Sequence, residues 1–303
     1  MQYHLNVLRK AQRMALMAAV SALVATGLTP STATSALAEF EIQESQVEKG
    51  EIETEYRGAV HWGFPRAERE EAEEGEEGGA LEEEEEGEFL RQSHDIELQW
   101  SVTDRWMFST ALSAGEPLDS DFDVSSAEVE LQYELIEREG HGLGLAFLGA
   151  YGFATRSGEA DEIEFGPIVE LASGKVLLTT NTFFTSQVGD NKETDGLGFE
   201  YGWRAQYGLA QKWGVGVEMF GEIEDLSHAG SFNDQQHSIG PTLFFNPGGD
   251  DDDDDNGNGN GTRNNNKILG PAKAEFSMNV GVQFGLTELT SDTALKFQGA
   301  LEF

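Results

Sequence analysis

The chain has 303 residues, no cysteine and a formal charge of −37. The absence of cysteine excludes disulfide frameworks and thiolate metal sites, and the acidic balance argues against nucleic acid as a partner. Such a charge permits the attraction of cations instead. After the N-terminal region, no apolar run reaches the ~18–20 residues that a membrane-spanning helix needs.

The N-terminal region has the three parts of a secretory signal. Basic residues precede an apolar core at residues 14–28, and Ala36-Leu37-Ala38 matches a small-residue cleavage site. We therefore predict a signal peptide over residues 1–38 and a mature chain over residues 39–303. The alternative of a membrane anchor is disfavoured because the core is short and polar residues follow it.

Twelve segments of the mature chain alternate apolar and polar residues, which is the signature of half-buried strands. Each is about the ~9–11 residues of a tilted membrane strand, or a little longer. They are predicted at residues 51–63, 89–102, 105–114, 124–135, 142–154, 162–171, 175–188, 196–209, 212–224, 235–245, 273–286 and 293–303. The tenth is the weakest, because Pro241 lies inside it and proline cannot donate to a strand ladder.

The connections between these segments alternate between tight turns and longer polar loops, as in outer-membrane barrels. The acidic loop 64–88, with Glu82–Glu86, is predicted to be a solvated loop or a cation-concentrating mouth. The low-complexity loop 246–270 breaks the alternation, because it is long yet falls on the side of the tight turns. It contains the run Asp250–Asp255. Asp252, Asp254, Asn256 and Gly257 match the first half of a calcium-loop pattern, but Arg263 occupies the twelfth position, which requires glutamate.

The last two segments form a hairpin with a continuous apolar face. In the final one, Leu295, Phe297 and Leu301 share one parity with the terminal Phe303. This hairpin resembles the C-terminal hairpin of bacterial outer-membrane β-barrels. The resemblance implies an all-β, antiparallel, up-and-down transmembrane barrel, which the segment count makes twelve-stranded. It also implies a location in the bacterial outer membrane, contact with outer-membrane lipid, and Phe303 as the signal read by the barrel insertion machinery.

The chain also resembles small outer-membrane channel families, including the one associated with the phenol meta-cleavage pathway. The polar parity of the segments is rich in carboxylates, which predicts an acidic inner face. Seven residues on that parity are predicted to line a pore: Glu97, Glu130, Glu134, Glu164, Glu200, Arg204 and Glu218.

The preferred function is a channel or transporter for small solutes that favours cations, with no enzymatic activity, cofactor or metal. One alternative is a structural membrane protein in which facing charges pair and close the lumen. Another is a membrane-embedded hydrolase, although the histidines fall in no recognisable motif and no G-x-S-x-G sequence occurs.

Overall fold

The computed structural model describes residues 40–63, 90–117, 121–155, 158–192, 194–247 and 275–303. The predicted signal peptide, the acidic loop 64–88 and residues 248–270 of the low-complexity loop lie outside the described residues. No helix in the described ranges is long and apolar enough to cross a membrane.

Twelve antiparallel strands close into one barrel, which confirms the predicted fold class and strand count. The strands are β1 (Ile52–Trp62), β2 (Leu90–Ser101), β3 (Trp106–Pro117), β4 (Asp123–Ile136), β5 (Gly142–Ala154), β6 (Asp161–Ser173), β7 (Val176–Val188), β8 (Gly198–Ala210), β9 (Trp213–Ile223), β10 (Gln236–Phe245), β11 (Glu275–Gly285) and β12 (Thr293–Glu302). Each strand pairs with its neighbours in sequence, and β1 pairs with β12 to remove the last free edges.

The apolar parity of the strands faces outward and forms a belt around the barrel. Leu243, Val280 and Phe297 lie side by side on β10, β11 and β12, and their neighbours on the same face are large apolar residues. Strand residues alternate between the two faces, so the polar residues between them point into the lumen. A closed antiparallel barrel with an apolar outside and a polar inside is the architecture of a bacterial outer-membrane protein.

The strand containing Pro241 is a regular member of the barrel. Pro241 pairs with Val217 of β9, and the break in pairing falls on its other side, between Ile239 and Thr242 of β10 against β11. The missing N–H of proline therefore removes little from the ladder. With β10 in place, the β10–β11 connection lies at the same barrel end as the tight turns, as the strand count predicts.

We expect Val280→Arg to lower the free energy of unfolding by about 2–4 kcal/mol, since a cation would face lipid near the midplane. Val280 is the central residue of β11 and points outward. The measurement is a urea titration of the protein reconstituted in lipid vesicles, in which the folded and unfolded fractions are separated by their mobility on a gel. Val280→Leu, which keeps the site apolar, is the matched control, and equal stability of the two variants would contradict the assignment of the outward face.

Candidate functional site: a filled lumen

Residues 40–49, called the N-terminal segment below, precede β1 and run through the inside of the barrel. At one end Gly50, with φ +88, forms the turn into β1, and its N–H donates to Ser101 O at 2.8 Å. At the other end the Phe40 ring stacks on His61, near the far end of β1, with 5.7 Å between ring centroids. The segment therefore crosses most of the length of the lumen.

Inward side chains of the strands satisfy the backbone of the N-terminal segment. Asn181 of β7 accepts from Gln43 N at 2.7 Å and donates to Gln43 O at 3.0 Å. Gln132 of β4 donates to Glu44 O at 3.0 Å. Buried backbone groups need such partners, and an irregular segment inside a barrel has no ladder to supply them. The lumen therefore provides specific docking positions for this stretch.

Ser45 is the most completely enclosed residue of the segment, with no exposed surface. Its hydroxyl donates to Glu170 Oε2 at 2.5 Å, and Arg138 Nε donates to the same oxygen at 3.4 Å. A methyl group added to Gly144 of β5 would overlap Ser45 Oγ. Glycine at this position thus leaves the space that the segment occupies.

An arginine in the lumen holds three carboxylates together. Arg57 Nη1 lies 2.7 Å from Glu41, 2.6 Å from Glu55 and 2.8 Å from Glu97. Oxygens of the three carboxylates lie within 4.8 Å of one another, a spacing that could also surround a metal ion. Because the guanidinium occupies the centre, this cluster is an ion-pair centre that ties the segment, through Glu41, to β1 and β2.

A second buried ion-pair centre surrounds Glu218 of β9. Its carboxylate accepts from Arg204 Nε at 2.7 Å, Lys296 Nζ at 2.5 Å and Thr242 Oγ1 at 2.6 Å. Lys296 also donates to Phe40 O at 3.4 Å. Lys296 lies on β12, the strand next to β1, so this contact holds the segment on the same side of the lumen as Arg57.

Part of the lumen is closed by apolar packing. Ala146, Leu148 and Ala150 of β5 point inward with Ile168 of β6, and all four are buried. Phe183 of β7 packs against them. Small and branched side chains that interdigitate in this way exclude water, as they do in other narrow barrels.

A cavity of about 460 Å³ remains between the N-terminal segment and strands that include β1, β11 and β12. It lies toward the end of the barrel with the tight turns. Eight of its lining residues are glutamates: Glu41, Glu44, Glu48, Glu51, Glu53, Glu55, Glu275 and Glu302. Arg204 is the one basic residue among the described lining residues. We call this space the acidic cavity.

Carboxylates at the mouth of this cavity are buried and lie close to one another, which raises the pKa of one of them. Glu51, just before β1, has its pKa raised to about 7, first by burial and then by repulsion from Glu302 and Glu48. A carboxyl group with a raised pKa is one whose negative charge lacks sufficient compensation. The surroundings of Glu51 therefore disfavour its charged form.

All seven residues predicted to line a pore are on the inward parity. Glu97, Glu130, Glu134, Arg204 and Glu218 are buried, whereas Glu164 and Glu200 are partly buried. The structure joins Arg204 to Glu218 and Glu97 to Arg57, but it does not gather the seven into one constriction. Their role in a pore stays a prediction.

Sequence reasoning missed the N-terminal segment and the central position of Arg57. The segment follows neither the strand nor the helix period, and Arg57 looks like one more charge on the inward parity of β1. The sole available signal was the polar stretch of about a dozen residues between the predicted cleavage site and the first strand.

Phe303 lies beside the barrel seam. Its N–H donates to Ile52 O at 2.9 Å, and its ring is exposed on the outward parity. The position allows access to the side chain from outside the barrel. Its role as a signal for the insertion machinery stays a prediction.

One cluster in the loop between β9 and β10 contains the residue types of a hydrolase. Asp225 accepts from the Ser227 hydroxyl at 2.6 Å, and His228 Nδ1 lies 2.9 Å from both Ser227 Oγ and Asp225 Oδ2. In a catalytic triad the serine and the carboxylate contact different nitrogens of the histidine ring, whereas here both contact Nδ1 of His228. The cluster therefore lacks the triad geometry. Hydrogen bonds from Ser227 and His228 lower the pKa of Asp225, as expected of a capped loop.

No family model and no curated protein matches this sequence. Among solved structures, the chain is similar to the outer membrane protein OprD from Pseudomonas aeruginosa, with 12% identity, 72% of this chain and 60% of that chain covered, and a TM-score of 0.33. This chain thus spans less than two thirds of the length of OprD.

Two further solved structures are similar at a comparable level. LpxR from Salmonella typhimurium has 9% identity, covers 83% of this chain and 99% of its own, and gives a TM-score of 0.36. OmpTΔL8, a loop-deletion mutant of an outer membrane protein of Vibrio cholerae, has 9% identity, 83% and 98% coverage, and a TM-score of 0.32. These scores carry no argument about function, and the fold rests on the strand pairing described above.

Proposed function

We propose that this protein is an outer-membrane passage for small solutes that favours cations, and that the N-terminal segment sets how far the passage is open. The observation that carries the proposal is the way in which the segment is held. Its anchors are hydrogen bonds and ion pairs to inward polar side chains, such as Asn181, Glu170 and Arg57. Water can replace contacts of this kind far more readily than it can replace an apolar core.

The inward charges support the cation preference. Beyond the two ion-pair centres, the inward parity carries further carboxylates toward the end of the barrel with the long loops: Glu128, Glu130, Glu162, Glu164, Glu200 and Glu222. A low-dielectric wall focuses the field of such groups into the lumen. At ~0.1 M salt the screening length is about 10 Å, which is comparable to the radius of a small barrel.

A closed structural barrel is the second candidate, and the apolar layer around Leu148 and Ile168 favours it. If that layer and the ion pairs fill the cross-section permanently, the lumen has only a structural role. This candidate predicts a correctly folded protein that passes no current, with or without the N-terminal segment.

Reversal potentials across a salt gradient test the proposal. The wild-type current should favour cations, most strongly at ~0.1 M salt, and the preference should fade near 1 M. The variant with Glu130, Glu164 and Glu200 all changed to Gln should lose much of this preference. These three positions avoid the carboxylates that pair with Arg57, so both ion-pair centres stay intact.

The matched control removes three acidic charges outside the lumen, at Asp121, Asp190 and Asp195, each changed to Asn. These residues are exposed in loops, where solvent and salt screen them. The control should keep the wild-type selectivity. Anion-selective current, or equal loss of selectivity in both triple variants, would contradict the role of the inward carboxylates.

A further inference from the structure

We propose that the acidic cavity binds an aliphatic diammonium cation, a function separate from conduction because a barrel that passes no current could still bind it. The cavity has the size of a small-molecule site, about 460 Å³. A bare metal ion would use little of this volume. The polar atoms identified below all accept hydrogen bonds, and ammonium groups only donate them.

The first argument comes from a buried amide in the wall of the cavity, whose oxygen lacks a hydrogen-bond partner. Asn279 of β11 is 7% exposed and lines the cavity, and its Oδ1 has no hydrogen-bond partner among the described residues. An unpartnered buried acceptor costs free energy unless a ligand or water supplies a donor.

The orientation of that amide follows from its neighbours. Glu55 is a carboxylate and can only accept, so Gln298 turns its Nε2 toward Glu55 Oε2, at 2.5 Å. Gln298 Oε1 then accepts from Asn279 Nδ2 at 2.6 Å. The amide nitrogen of Asn279 is thus used by Gln298, and the atom left without a partner is the amide oxygen. An oxygen can only accept a hydrogen bond, so a ligand here must be a donor.

The second argument is the arrangement of carboxylates across the closing strands. Glu53, Glu302 and Glu275 are in register on β1, β12 and β11, so they form one row across the wall. Glu55 lies two residues above Glu53 on the same face, a separation of about 6.6 Å along the strand. A four-carbon diamine has a similar length when extended. One ammonium group can thus lie near Asn279 and Glu55 while the other meets the row of glutamates.

The third argument is the apolar part of the lining. Ile42 of the N-terminal segment, Met107 of β3 and Phe244 of β10 also face this cavity. Methylene groups between two ammonium ends would pack against these side chains, whereas a hydrated metal ion would leave them wet. The combination of acceptors and apolar surface selects an organic dication.

Isothermal titration calorimetry on the folded barrel in zwitterionic detergent tests the inference, with putrescine as the probe. We expect saturable binding of one equivalent, about ten-fold or more tighter than that of n-butylamine, which lacks the second ammonium group. Magnesium chloride at equal ionic strength should compete weakly. Equal affinity for putrescine and n-butylamine, or tighter binding of magnesium, would overturn the assignment of a diammonium site.

Variants locate the site. Glu53→Gln with Glu302→Gln should weaken putrescine binding about ten-fold or more, and Asn279→Ala should weaken it while leaving both carboxylates in place. Glu162→Gln with Glu222→Gln removes the same charge at the opposite end of the lumen and should leave the affinity unchanged. If the Glu162/Glu222 variant weakens putrescine binding as much as the Glu53/Glu302 variant, binding reflects diffuse attraction to the acidic barrel, and the proposed site is contradicted. The single variant Glu302→Gln serves if the double variant does not fold, and an unchanged affinity there counts against the proposal.

Discussion

Deletion of residues 40–49 is expected to raise the single-channel conductance in planar bilayers several-fold. The segment crosses most of the lumen, and its removal replaces a packed chain with water. The barrel should still fold, because all twelve strand pairings lie outside the segment. Arg57 would keep Glu55 and Glu97 as partners after losing Glu41. Open current with retained cation preference is the expected result.

A substitution that leaves the segment in the chain but displaces it gives an independent measurement. Gly144→Leu puts a side chain where Ser45 lies, so the segment can no longer occupy its place. Its conductance should approach that of the deletion. Lys49→Gln, at an exposed position of the segment, should behave like the wild type. If the deletion and Gly144→Leu both fold and neither passes current, the strands themselves close the lumen and the proposed passage is refuted.

The absence of cysteine allows the position of the segment to be read directly. Ser45→Cys introduces a single thiol at a site with no exposed surface. A water-soluble maleimide should label it slowly in the wild-type background and quickly when Gly144→Leu is added. Rapid labelling without that second change would show that the segment spends much of its time outside the lumen.

Arg57→Met is expected to cost the barrel about 3–5 kcal/mol at neutral pH, the loss seen when one partner of a buried ion pair is removed. Arg57 is 4% exposed and is the cation at the centre of three carboxylates. Without it, Glu41, Glu55 and Glu97 would repel one another in a place that solvent barely reaches. The measurement is the urea concentration at the midpoint of unfolding for protein in lipid vesicles, with folded and unfolded fractions separated by their mobility on a gel.

Acidification should partly rescue this variant. Protonation of the crowded carboxylates removes the repulsion, so the stability difference from wild type should shrink as the pH falls and grow as it rises. Arg105→Met is the matched control, because Arg105 donates to backbone carbonyls of Glu134 and Leu135 near the barrel end. It should cost little at any pH. A small and pH-independent loss in Arg57→Met would contradict the central role of this ion pair.

The sequence was sufficient to predict the barrel because strand alternation depends on one physical contrast, lipid outside and water or polar groups inside. Even the strand with Pro241 follows the rule, since the ladder tolerates proline where the pairing is interrupted. Inward and outward faces follow from parity alone. Parity also places Glu97, Glu130 and Glu218 inside.

The filling of the lumen was beyond the reach of the same reasoning. Which inward charges meet depends on register and on the three-dimensional closure of the barrel, as for Glu218 of β9 with Lys296 of β12. The N-terminal segment has no period of its own, because its partners come from strands far apart in sequence. Asn181 and Gln43, for example, are 138 residues apart.

The turn at Gly50 constrains the order of events during assembly. The segment lies before β1, and β1 meets β12 at the seam that joins the first and last strands. If that seam were sealed first, residues 40–49 could enter only by threading along a lumen already narrowed by Leu148 and Ile168. Folding back of residues 40–49 while the sheet is still an open ribbon avoids this barrier. The segment would then act as an internal guide, with Asn181 and Glu170 drawing the curved sheet around it before the first and last strands join.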